Sequence, residues 1–167
     1  EYTRHAITKI SNIHFVATKK SKERIIKMGE NPKYIFNTGS PSLDEIIPNN
    51  ITSKKFLEKK YHLDFKKDEI LLLQHPVTTE INLSENQIIN TLKALVQINK
   101  QVISILPNSD AGYNAIFNNL IKYSKKYDFI KTVKSIPRSD YLGILNNCKL
   151  LIGNSSSGII EAPFLHI

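Results

Sequence analysis

Leu150-Leu151-Ile152-Gly153-Asn154-Ser155-Ser156-Ser157-Gly158-Ile159-Ile160-Glu161-Ala162-Pro163 begins as an apolar run, passes through a cluster of small residues, and turns apolar again ahead of Glu161 and a proline. The pattern reads as a buried strand breaking into a helix N-terminus. Small residues at such a junction let an anion approach backbone N–H groups whose partial positive charge favours it. The residues alone leave two uses open, a phosphate cradle or an ordinary strand–loop–helix connection with serine as N-cap.

The same alternation extends back through the chain. Apolar strand patterns at 69–74, 101–106, 128–132 and 149–152 are separated by helical patterns at 84–98, 111–125 and 138–147, and a last helix starts near 157. Strands alternating with helices predict an α/β fold with a doubly wound parallel sheet. Earlier still, residues 2–11 are helical in pattern, with Ile7 and Ile10 on one side, and they start so abruptly at Glu1 that an element is expected to be cut there. His14 to Thr18 is a short strand, Lys20 to Met28 a helix stopped by Gly29, and Tyr34 to Thr38 a second strand, again in β–α–β order. From Gly39 to Asn50 the composition shifts to Pro, Ser and Asn, the mark of a boundary or hinge. A polar helix at 52–61 follows, with Phe56 and Leu57 as its apolar contacts. There is no internal repeat.

In doubly wound sheets, ligands bind beyond the carboxyl ends of the strands. The loops expected there are Gln74 to Glu80, Leu106 to Asp110, Ser135 to Arg138 and the serine stretch, all on one edge. His75 puts an imidazole in the first of them, opposite a possible phosphate loop, which makes it a candidate functional group. Asn108 and Asp110 add an amide and a carboxylate. Each has a plainer use as well: Asn108 closes a turn, Asp110 caps helix 111–125, Arg138 is solvated, and Tyr141 is core on its helix.

The 167 residues are 41% hydrophobic and 23% charged, an ordinary soluble composition with room for one core-bearing domain or pieces of two. No apolar run approaches the ~20 residues of a membrane span and no signal peptide opens the chain, so a cytoplasmic location is expected. A net charge of +8 permits nucleic-acid, anionic-membrane or phosphorylated small-molecule partners. The lysines scatter in pairs over different segments (Lys19-Lys20, Lys54-Lys55, Lys59-Lys60, Lys66-Lys67, Lys125-Lys126), the pattern of solvated helix faces; neither nucleic acid nor membrane is expected as a partner. The single cysteine, Cys148, excludes an internal disulfide and fits a reducing compartment. With no nucleophile signature around it, it reads as a small residue packed before strand 149–152. His5, His14, His62 and His166 lack metal-ligand spacing, so no metal is expected. The Gly-x-Gly-x-x-Gly fingerprint and the P-loop lysine pattern are missing, against a dinucleotide site or an NTPase.

Six motifs combine: Arg4-His5-Ala6-Ile7-Thr8-Lys9-Ile10-Ser11, His14-Phe15-Val16-Ala17-Thr18, Gly39-Ser40-Pro41-Ser42-Leu43-Asp44, Gln74-His75-Pro76-Val77-Thr78-Thr79-Glu80, Pro107-Asn108-Ser109-Asp110-Ala111-Gly112 and Gly153 to Pro163. In this order, over essentially the whole chain, they resemble the UDP-N-acetylglucosamine 2-epimerase family, closest to its hydrolysing branch, which feeds sialic and related nonulosonic acid synthesis. The resemblance implies a GT-B-like pair of Rossmann-like domains. Residues 1–44 would be the C-terminal part of the first, 45–61 a hinge and linking helix, and 62–167 the second, UDP-binding domain, truncated at its end. The chain would then be the central fragment of an enzyme roughly twice as long, not catalytically complete alone.

The resemblance also implies roles. Ser155 and Ser156 match donors to the UDP diphosphate, with Ser157 beside them, and Glu161 matches the carboxylate that holds the ribose hydroxyls. Ile136 falls where a backbone group meets the uracil and Tyr141 where a ring stacks on it. His75 matches an active-site histidine near the diphosphate, able to stabilise departing negative charge or donate a proton. Asn108 is a cleft contact, Arg4 a UDP-sugar contact, and Glu1 a candidate acid/base near the sugar. The implied reaction is deprotonation at C2 of UDP-GlcNAc and anti elimination of UDP, then addition of water to give N-acetylmannosamine. It needs no metal or redox cofactor, and the full-length enzyme is expected to be a dimer or tetramer. The alternatives are a non-hydrolysing UDP-GlcNAc/UDP-ManNAc epimerase, a GT-B glycosyltransferase, a non-catalytic nucleotide-binding module, and a basic nucleic-acid-binding domain.

Overall fold

Strand patterns followed by helix starts fold locally in each of the two units into which the chain divides, one ending at Ile46 and the other spanning Ile47–Ile167. The computed structural model describes residues 2–167. The first unit runs α1 (Tyr2–Ile10), β1 (His14–Val16), α2 (Lys19–Lys27), β2 (Ile35–Asn37) and a one-turn α3 (Pro41–Asp44). β1 and β2 pair in parallel with His14 opposite Ile35 and Val16 opposite Asn37. Thr18 ends β1 early because its hydroxyl caps α2, accepting the Ser21 N–H at 3.1 Å. Within the stretch read as a hinge, Pro41 at the first helical position nucleates α3, a turn the composition concealed.

The second unit runs α4 (Lys54–Tyr61), β3 (Glu69–Leu73), α5 (Ser84–Ile98), β4 (Gln101–Ile105), α6 (Tyr113–Lys126), β5 (Ile130–Val133), α7 (Arg138–Asn147), β6 (Leu150–Gly153) and α8 (Ser157–Phe164). All four strands are parallel, in the order β5-β4-β3-β6. β3 is buried along its whole length, as a parallel strand covered on both faces must be. Ile70, Leu72 and Val102 pack with Ile88, Leu92, Ile116 and Leu120 of α5 and α6. The alternate residues Leu71, Leu73 and Ile103 pack with Leu57 of α4, Ile144 and Leu145 of α7, and Ala162 of α8. The sheet is doubly wound, as expected. Its strand order reverses between β3 and β6, so a crevice opens beyond their carboxyl ends.

The helix expected at 111–125 starts at Tyr113, because Gly112 in the left-handed region (φ 95°) occupies the cap position. Asp110 contributes its carbonyl, which accepts the Tyr113 N–H at 2.9 Å, and its side chain does not cap. α4 is tied to α7 through Asp140, which is buried. Its carboxylate accepts hydrogen bonds from Thr52 Oγ1, Lys60 Nζ and Tyr61 Oη, each at 2.6 Å. Burial alone would raise this carboxyl, but the Lys60, Thr52 and Tyr61 bonds outweigh it and hold Asp140 below the usual carboxylate range.

At the opposite end of the sheet from the crevice, Glu69 opens β3 fully buried, beside Gln101, which donates to it. Burial pushes the carboxyl up to about 7; Gln101 and Lys131 oppose this, and Asp64 adds to it. A raised carboxylate pKa makes the folded chain hold the proton more tightly than the unfolded one. The resulting stability is complete below the ordinary glutamate range and drains away as pH rises through about 7. Glu69→Gln is therefore expected to raise stability at pH 8 by about 1–3 kcal/mol and to change it little at pH 4.5. Urea unfolding at the two pH values measures the difference. Cys148 is buried at the end of α7, its thiol donating to the Leu145 carbonyl and raised by burial to about 11, which leaves it a packing residue.

Candidate functional site

The loops after β3, β4, β5 and β6 wall one cleft of about 690 Å³, within the size range of small-molecule sites. His75 stands after β3, Asn108 after β4, Ile136 after β5, and Ser155, Ser156 and Ser157 after β6; Tyr141 and Glu161 complete the wall from α7 and α8. Eight of the ten residues to which the resemblance assigns a role thus converge. Arg4 belongs to the first unit, on α1, and Glu1 lies outside the described residues.

The β6 end is built on Gly153. Its φ of +140° lies in the region that favours glycine, and a Cβ there would sit 1.8 Å from the Leu73 carbonyl oxygen. This close approach is the last rung of the β3–β6 ladder, Leu73 opposite Gly153. The next residue continues the pairing by other means. The Asn154 backbone N–H donates to the Leu73 carbonyl at 3.1 Å. The Asn154 side chain accepts the His75 N–H at 2.8 Å through Oδ1 and donates to the His75 carbonyl at 2.9 Å through Nδ2.

The serine cluster then turns into α8. Ser155 Oγ accepts the Ser157 N–H at 3.3 Å, and the Ser155 carbonyl accepts the Gly158 N–H at 3.1 Å. Ser156 occupies the cap position but makes no side-chain capping bond, so the side-chain oxygen that meets the first N–H of α8 comes from Ser155. Among the described residues, the Ser155 and Ser156 backbone N–H groups take no protein acceptor, which leaves donors at the positive end of a helix. Ser157 is only 5% exposed, and its hydroxyl bonds Tyr141 Oη, joining α8 to α7.

One turn into α8, the buried Glu161 pairs with Arg138, Oε1 to Nη2 at 2.8 Å. The Arg138 guanidinium also lies over the Tyr141 ring, 5.4 Å from its centroid. Arg138 is thus not simply solvated, as its plainer reading has it, but the hub between a carboxylate and an aromatic face. Tyr141 packs against the core beneath it, in line with the plainer reading, while still lining the cleft. Burial raises its phenol above the ordinary tyrosine range, opposed by the Ser157 bond, so it stays protonated. His75 Nδ1 is buried with no hydrogen-bond partner among the described residues, an acceptor or donor held in reserve within the cleft wall.

Two residues of this arrangement have no assigned role in the sequence reading. Arg138 precedes Tyr141 by three, which places both on one face of a helix, a legible signal. Asn154 has no such signal, because its role is to bond a backbone 79 residues away. The chemistry available is that of anion binding with charge neutralisation and proton transfer: helix-end N–H groups, hydroxyls, an imidazole, and a carboxylate one turn on. Among the described residues no group of three or more His, Cys, Asp or Glu side chains is placed to hold a metal ion, and no helix is long and apolar enough to cross a membrane.

A family model described as UDP-N-acetylglucosamine 2-epimerase matches residues 1–167. The chain is 39% identical over 167 residues to the UDP-N,N'-diacetylbacillosamine 2-epimerase (hydrolyzing) of Legionella pneumophila, covering 100% of this chain and 44% of that protein. It is 38% identical over 160 residues to the UDP-N-acetylglucosamine 2-epimerase of Neisseria meningitidis serogroup B, covering 96% and 42%. The S. aureus MnaA-UDP co-structure superposes with a TM-score of 0.76 at 17% identity, over 99% of this chain and 43% of that one; at that identity the likeness is one of fold. The chain therefore spans under half the length of the curated relatives it matches.

Proposed function

We propose, from the premise that this chain belongs to the UDP-N-acetylglucosamine 2-epimerase family, that it supplies the UDP-binding part of a hydrolysing 2-epimerase that converts UDP-N-acetylglucosamine to N-acetylmannosamine and UDP. The observation that carries the reading is the convergence of four parallel strand ends on one cleft, with donor groups at the α8 N-terminus and His75 in the same wall. On this reading residues 1–44 close the first Rossmann-like domain, 45–61 link the two, and 62–167 form the nucleotide domain. The full-length protein is a cytoplasmic homo-oligomer, a dimer or tetramer, and serves nonulosonic acid synthesis.

Ser155 and Ser156 hold the diphosphate through hydroxyl and N–H donors, where fixed dipoles stabilise the charge that develops as UDP leaves. His75 neutralises or protonates that leaving group. Glu161 takes the ribose hydroxyls, oriented by its bond to Arg138. The Ile136 backbone meets the uracil, and Tyr141 offers its ring edge and face. The guanidinium already stacked on Tyr141 means that the base enters beside Arg138 or shifts it. Asn108 and Arg4 contact the sugar nucleotide. C2 deprotonation falls to carboxylates, of which Glu1 is the candidate carried by this chain.

The name of the Legionella relative supports a second reading of the sugar, a UDP-linked 2,4-diacetamido hexose. Incubation of the full-length protein with each UDP-sugar alone decides. Release of the 2-epimeric free sugar with UDP is expected from one of them. Turnover only with an added acceptor would overturn the reading in favour of a glycosyltransferase, a UDP-linked epimer in favour of the non-hydrolysing reaction, and UDP binding without turnover in favour of a binding module.

A further inference from the structure

We propose that Asn154 is a positioning residue for His75, holding the imidazole in register from outside the cleft; the inference rests on the reading of His75 given above. Asn154 does not line the cleft. It sits with Gln74, Val77, Gln87 and Thr91 around a separate groove, on the α5 side of the sheet edge. Its contact with the site is the reciprocal pair of bonds to the His75 backbone at 2.8 and 2.9 Å. A side-chain amide thus extends the parallel ladder one step beyond its last rung, Leu73 opposite Gly153.

This matters because the imidazole lacks an anchor of its own. His75 Nδ1 is buried without a partner among the described residues, so the ring is placed by its backbone and rotamer and not by a hydrogen bond at that nitrogen. A displacement of the order of 1 Å at a reacting group costs about a hundredfold in rate. Asn154 is also the residue before Ser155, so the segment that carries the anion donors and the clamp on His75 are one stretch of backbone. The distance between imidazole and diphosphate is therefore set by a single turn. The amide suits both bonds, because the His75 N–H needs an acceptor and the His75 carbonyl needs a donor, and it offers one at each end of the same short side chain without ionising, as an aspartate would.

The test uses the full-length protein. Asn154→Ala is expected to lower kcat about 10- to 100-fold while KM for the UDP-sugar moves less than about threefold. In a His75→Ala background the same substitution is expected to have no further effect. Asn154→Asp, which keeps the acceptor and loses the donor, falls between the two, and it supplies the comparison if the alanine variant does not fold. Without any nucleotide, the ¹⁵N-labelled imidazole resonances of His75 should move in either variant while those of His5, His14, His62 and His166 stay. Equal losses in the wild-type and His75→Ala backgrounds, or unmoved His75 resonances, would overturn the proposal. The resonance measurement stands even if the protein turns over none of the proposed sugars, so the two readings fail separately.

Discussion

Gly153→Ala is expected to cost about 4 kcal/mol or more, enough to leave the second unit largely unfolded at 37 °C. The added methyl would start 1.8 Å from the Leu73 carbonyl oxygen and 2.4 Å from its carbon, both backbone atoms of the central strand, so no side-chain rotation can relieve the clash. A φ of +140° is closed to alanine besides. Relief requires β6 to move away from β3, and with it goes the rung from Leu73 to Gly153 and the Asn154 bond to Leu73. A urea melt followed by circular dichroism measures the loss. Gly158→Ala is the control: its added Cβ would meet only Leu151 Cδ2, at an ordinary 3.6 Å. It should stay within about 1 kcal/mol of the wild type.

His75→Ala in the full-length protein is expected to lower kcat by about 10²–10⁴-fold, with UDP affinity changed less than about tenfold. On the proposed reading the imidazole acts on charge that appears when the bond to UDP breaks, so its loss is expected in the transition state more than in the ground-state complex. Ser155→Ala should show the complementary pattern, weakening UDP binding in proportion to its loss of rate. Steady-state kinetics together with UDP titration separates the two. An equal loss of UDP affinity and kcat/KM in His75→Ala, with kcat unchanged, would make His75 a binding residue only.

The architecture of the second unit is legible in the sequence because a parallel sheet covered on both faces writes itself as short apolar runs, and Ile70 to Leu73 is such a run. The alternation with helices determines which loops share an edge, and that alone places His75, Asn108, Ile136 and the serines together. The ends of elements are less legible. α3 hides in a Pro-Ser stretch that composition marks as a break, and α6 starts two residues late because Gly112, and not Asp110, takes the cap position. The serine cluster illustrates the same limit. Its residue types suit a helix N-terminus, yet Ser156 leaves the cap bond unmade and Ser157 spends its hydroxyl on Tyr141. Long-range polar pairs are beyond reach: Asn154 with the His75 backbone, Arg138 with Glu161, and Asp140 with Thr52, Lys60 and Tyr61 join residues whose sequence separation carries no periodic signal.

Whether the cleft is a nucleoside diphosphate site is decided most directly by titrating UDP into the ¹⁵N-labelled protein and following backbone amide shifts. The largest changes are expected at Ser155, Ser156, His75, Ile136, Tyr141 and Glu161, and they should shrink in Ser155→Ala at the same UDP concentration. Millimolar UDP that leaves these amides unmoved, or that shifts only residues away from the four strand ends, would contradict the account.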